Sequence, residues 1–125
     1  EITYIKEYID NSRAVLSVDD KEYELDDELA NYLLDDKVIN LKIIDIRKKS
    51  NFADYMILGT GTSNRHIINM AKNVKEKIKE NFNFTPSTEG IEQSNWVLID
   101  ANSIVINIFK PESREFYNLE NIWDN

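Results

Sequence analysis

The stretch that most limits how this chain can fold runs from Asp54 to His66, Asp-Tyr-Met-Ile-Leu-Gly-Thr-Gly-Thr-Ser-Asn-Arg-His. An apolar strand, Tyr55 to Leu58, breaks on two glycines and hands over to an amphipathic helix that starts near Ser63. In that helix Ile67, Ala71, Val74 and Ile78 recur at spacings of four, three and four. A strand, a tight turn and a helix that must lie back on its strand define a layer of helix on sheet. The same turn gathers backbone N–H groups and three hydroxyls (Thr60, Thr62, Ser63) at the positive end of the helix dipole. It either receives a polar or anionic group or serves only as a close connection.

The flanking segments supply the rest of that layer. Leu41 to Ile46 predicts a strand covered on both sides. Beyond a polar link around Pro86, Trp96 to Ile99 and Ile104 to Phe109 predict an antiparallel pair joined at Asp100-Ala101-Asn102-Ser103. Leu29, Tyr32 and Leu33 predict a helix from Asp26 to Leu34 behind an acidic first turn. Pro111 opens a further helix with Phe116 and Tyr117 as its apolar side, and the segment from Leu119 to Trp123 is expected to strap onto the body. At the start, Ile2, Ile5 and Ile9 share a helical face and predict a short helix, while Ala14–Val18 and Lys21–Leu25 read as a hairpin around Asp19-Asp20. Lys72, Lys75, Lys77 and Lys79 complement the negative end of the long helix. The fold class is α/β or α+β, a mixed β-sheet flanked by helices.

At 125 residues and 42% hydrophobic content, the chain has a core's worth of apolar residues for one domain, and no apolar run approaches a membrane span. With no cysteine, neither a disulfide framework nor a thiolate metal site can form, and a reducing cytosol fits best. The net charge of -8 repels phosphate backbones and attracts basic surfaces, so direct nucleic-acid binding is disfavoured and a basic protein partner favoured.

Catalytic readings fare poorly. Ser63 and His66 lie one helical turn apart, but the pattern Gly-Thr-Gly-Thr-Ser is not the elbow that places a serine between two glycines. Ser63 or Thr62 as a helix N-cap is the better account. One histidine and no cysteine leave only carboxylates for a metal, which suits magnesium better than zinc. Phosphate cradling lacks the lysine of a P-loop and the third glycine of a dinucleotide turn. A magnesium-dependent nucleotidyltransferase would pair aspartates on a strand beside a Gly-Ser turn. Here Asp100 stands alone at its strand end and would need help from Asp45 or Asp54. Trp96 lies four residues before Asp100, on the same face of a regular strand, so it reads equally as core and as an aromatic anchor for a basic protein surface.

Several segments stand in order: Asp54-Tyr55, Gly59 to His66, Glu89-Gly90, Trp96 to Asp100, Phe109-Lys110-Pro111-Glu112, Arg114 to Glu120, and Trp123. Together they resemble the ribosomal silencing factor family, also called Iojap-like, over residues 27 to 125. The domain is therefore set at 26–125, with 1–25 an extension of unknown role. The resemblance implies a non-catalytic protein without a cofactor, of nucleotidyltransferase-like fold. It would bind the large ribosomal subunit through large-subunit ribosomal protein fourteen and prevent the small subunit from joining. Carried over by motif, the partner surface comprises Asp54, Tyr55, Arg65, Glu89, Trp96 and Asp100, supported by Tyr117 and Leu119; a homodimer through the Trp96 face is compatible. The chain departs from the family pattern in two places: Ala101-Asn102-Ser103 replaces an aromatic-glycine-acid turn, and Asn107 stands where the last strand carries a histidine. Asparagine tolerates the positive φ such a turn demands. A bacterial cytoplasm is the expected location, with an organellar relative the alternative.

Overall fold

The computed structural model describes residues 5–8 and 21–124. In chain order the elements are β1 (Ile5–Tyr8), α1 (Lys21–Asp35), β2 (Ile39–Asp45), β3 (Tyr55–Thr60), α2 (Asn64–Phe82), β4 (Ser87–Glu89), β5 (Trp96–Ala101), β6 (Ile104–Phe109), α3 (Pro111–Tyr117) and α4 (Leu119–Asp124). The strands form one sheet in the order β1-β2-β3-β6-β5-β4, with β3 and β6 parallel and the other neighbours antiparallel. This is the expected mixed sheet flanked by helices.

Alternation along the strands sorts their side chains to two faces. Ile43, Ile57, Ile106, Ile108, Val97 and Ile99 meet Leu29 and Leu33 of α1 and Ile67, Met70, Ala71, Val74 and Ile78 of α2 in the larger core. The predicted stripe on α2 is thus the buried one. On the opposite face Ile44, Met56, Leu58, Val105 and Phe109 form a smaller cluster, against which Trp96, Leu98, Leu119 and Trp123 pack.

Three local expectations are corrected. Ile5–Tyr8 is a strand paired with β2 in the register Ile5↔Ile44 to Tyr8↔Leu41, not part of a helix. An apolar run this short carries no decisive period, and backbone pairing with a neighbour decides it. Lys21–Leu25 belongs to α1 rather than to a hairpin, since a Lys-Glu-Tyr-Glu-Leu run is rich in helix formers; Ala14–Val18 lies outside the described residues. Phe116 does not turn inward: it is 80% exposed, and α3 buries none of its residues. The closing segment does strap onto the body, but as helix α4, in which Leu119 and Trp123 fall one turn apart on one face.

Candidate functional site

The glycine turn is closed by the protein's own groups. Ser63 caps α2, its Oγ accepting from the His66 N–H at 3.1 Å, while the Gly61 N–H goes to the Phe109 carbonyl at 2.9 Å. The Thr62 N–H donates to His66 Nδ1 at 3.0 Å, which makes Nδ1 an acceptor. Nε2 therefore carries the proton and donates to the Asp36 carbonyl at 2.7 Å, tying α2 to the end of α1. The two glycines are needed for close approach. A Cβ on Gly59 would lie 2.5 Å from Val38 Cγ2, and one on Gly61 2.5 Å from Ile67 Cγ1. Of the two readings of this turn, the geometry favours the close connection.

The aspartates a nucleotidyltransferase would need lie at the other end of the strands. Asp45 pairs with Tyr55 at the start of β3, and its carboxylate takes a forked contact from Arg47, with Nη2 at 2.7 Å and Nε at 3.0 Å. Asp54 is half-buried, its backbone N–H donating to the Ser103 carbonyl at 2.7 Å. Asp100 accepts from the Asn102 N–H at 3.1 Å and so holds the β5–β6 turn, where Asn102 has the expected positive φ of 64°. The six residues of β3 separate this end from the glycine turn by about 17 Å.

What the fold does bring together is an aromatic and acidic face beside α3. Trp96 stacks on Phe109 at 5.2 Å between ring centroids, Tyr117 lies 4.7 Å from Trp96, and Phe116 meets Tyr117 edge-on at 5.1 Å. This ladder rises from a buried ring to one 80% exposed. Register places Glu89 beside Leu98 and Ser87 beside Asp100, so Glu89, Trp96, Leu98 and Asp100 share that face, with both carboxylates exposed at its rim. Trp96 is half-buried, at once a packing residue and the base of the exposed ladder. Its Nε1 donates to Asn107 Oδ1 at 2.8 Å, leaving the buried Nδ2 of Asn107 without a partner among the described residues.

Of the eight residues carried over by motif, Trp96 and Tyr117 are therefore in contact, Glu89 and Asp100 lie on the same side of the sheet with Asp100 at the opposite end of β5 from Trp96, and Leu119 packs on that side as well. Arg65 is exposed on the first turn of α2, at the end of the strands away from Asp54. Tyr55 is fully buried on the α1/α2 side, with the Arg47 guanidinium 5.2 Å from its ring centroid, so its side chain belongs to the core rather than to a surface. Phe116 was expected on the packed side of α3 rather than on the partner surface, and Arg114 was given no place on that surface. Adjacent aromatics on a helix point about 100° apart, so on a seven-residue helix that buries no residue one of the two turns outward, and here it is Phe116. Arg114 locks α3 in place: Nη1 donates to the Asn40 carbonyl at 2.7 Å and to Thr60 Oγ1 at 2.9 Å, and Nε to Glu120 Oε1 at 2.7 Å.

The geometry defines an α+β domain with a closed glycine turn and a half-covered aromatic face. The family model described as "Ribosomal silencing factor during starvation" matches residues 19–125, and the chain belongs to that family. A ribosomal silencing factor of Zymomonas mobilis is 39% identical over 89 residues, spanning 71% of this chain and 67% of the relative. The mouse protein named "Mitochondrial assembly of ribosomal large subunit protein 1" is 28% identical, over 78% of this chain and 44% of its own length. A crystal structure of a Chromobacterium violaceum protein superposes with a TM-score of 0.77 at 31% identity, covering 81% of this chain and 84% of that one. Membership ties the chain to ribosome-associated regulation of translation. No helix among the described residues is long and apolar enough to cross a membrane.

Proposed function

We propose that this protein binds the large ribosomal subunit through the Trp96–Tyr117–Phe116 face and blocks entry of the small subunit, repressing translation by occlusion in a bacterial cytoplasm. The protein partner on that subunit is large-subunit ribosomal protein fourteen. Domain 26–125 carries the activity, without a cofactor or catalytic step. The observation that supports this reading is the aromatic ladder. Rings anchored in a packed core and ending at an exposed Phe116 are the anchors that dominate protein interfaces, and the Glu89 and Asp100 rim suits a basic partner. A homodimer through the same face would compete with the ribosome. The test is co-sedimentation with isolated large subunits, with and without small subunits. Trp96→Ala should abolish both binding and exclusion, and retention of both would reject this face.

A further inference from the structure

The net charge of -8 hides an uneven distribution. At 100° per residue, Lys75, Lys79, Lys72 and Arg65 fall within about 80° of one another on α2, a basic stripe along the outer helix surface. Its direction is fixed by contacts on the other flank. Asn73 Nδ2 donates to Asp36 Oδ2 at 3.1 Å, Lys77 Nζ lies 3.7 Å from Asp35 Oδ2, and Asn81 Nδ2 donates to the Tyr32 hydroxyl at 2.9 Å. Those residues face α1, so the basic stripe runs along the flank of α2 turned away from it.

Arg65, Lys72 and Lys75 make no ion pair among the described residues. Lys79 has only an exposed neighbour, with its Nζ 3.9 Å from Glu76 Oε1. The helix dipole explains little of this, since of the four lysines only Lys79 stands in the last turn. Cations repeating at intervals of seven, roughly 10 Å apart along a rigid rod, present a line of positive charge to a linear polyanion.

We infer that this stripe contacts the phosphate backbone of ribosomal RNA when the protein is seated on the large subunit; the inference rests on the subunit-binding reading above. The contact positions without reading sequence, so the overall acidity that disfavours free nucleic-acid binding does not oppose it once the aromatic face is docked. The molecule is thereby bipolar: an acidic aromatic face for a basic protein and a basic helix flank for RNA.

The experiment is titration of the full chain against isolated large subunits across a salt series, comparing it with Lys72→Gln/Lys75→Gln and with Glu76→Gln. Glutamine keeps helix propensity, and circular dichroism checks the fold. The double variant should bind about 10-fold more weakly at low salt and show a plot of log affinity against log salt flatter by about 1.5. Glu76→Gln should bind more tightly, and Lys72→Arg/Lys75→Arg should retain the original slope. If a basic protein faces this flank, removing two cations strengthens binding instead. That result, or an unchanged slope, overturns the inference while the aromatic-face reading stands. Failure of the unsubstituted chain to bind subunits overturns both.

Discussion

The two faces of the sheet are built on different principles. Beneath α1 and α2 the strands present aliphatic side chains that are almost fully buried, and both helices interlock with them through continuous stripes. Beneath α3 and α4 the cluster is smaller and its rim is aromatic. The covering helices are held by a few polar contacts: Arg114 to Asn40, Thr60 and Glu120, and Lys49 Nζ to the Trp123 carbonyl at 2.7 Å. One face makes the fold, and the other leaves aromatic surface at its margin for something else to bury.

Substitutions that separate stability from surface test this contrast. The largest stability loss is expected from Ile106→Ala in the larger core, about 2–5 kcal/mol by chemical denaturation. A loss no greater than at the α3 face would erase the distinction. Arg114→Ala removes the hydrogen bonds to Asn40, Thr60 and Glu120 from a side chain only 12% exposed, and should cost about 1–3 kcal/mol. It should also make the chain between residues 110 and 118 a site of early proteolysis; uniform resistance would show that α3 does not depend on this residue. Trp96→Phe keeps the stack but leaves Asn107 Oδ1 buried without its donor, for about 1–2 kcal/mol.

The smallest effect concerns pH. Burial raises the pKa of the Tyr32 hydroxyl above its ordinary value, against the hydrogen bond from Asn81, which lowers it. The unfolded chain thus loses this proton first, so stability present below about pH 10 declines as pH rises towards the folded value. Tyr32→Phe should flatten that decline in thermal melts at high pH, and an identical slope would remove Tyr32 from the account.

Much of the layer on the α1/α2 side was legible in the sequence because its signals are local and redundant. The stripe of Ile67, Ala71, Val74 and Ile78 gives a helix its buried side whatever it meets. The cap could be narrowed to Ser63 or Thr62 because capping geometry involves only the next three residues, and the structure selects Ser63. Ile5–Tyr8 was not legible, since its state depends on β2, more than thirty residues away. The candidate site divided in the same way. Trp96 and Asp100 share a strand face by simple alternation, whereas the tilted packing of Tyr117 against Trp96 depends on how Arg114 seats α3 across β3 and β2. Tyr55 was misplaced on the partner surface because its motif does not tell which side of the sheet it faces.

Phe116 offers the most direct measurement. At 80% exposure, Phe116→Ser should change folding stability by no more than about 0.5 kcal/mol, so any functional loss belongs to the surface and not to the fold. Co-sedimentation with large ribosomal subunits, followed by addition of small subunits, is predicted to show the unsubstituted chain bound and joining blocked. The folded Phe116→Ser protein should be at least 10-fold weaker in binding and should permit joining. A folded Phe116→Ser variant that binds and blocks as well as the unsubstituted chain would contradict the claim that the aromatic face docks the ribosome.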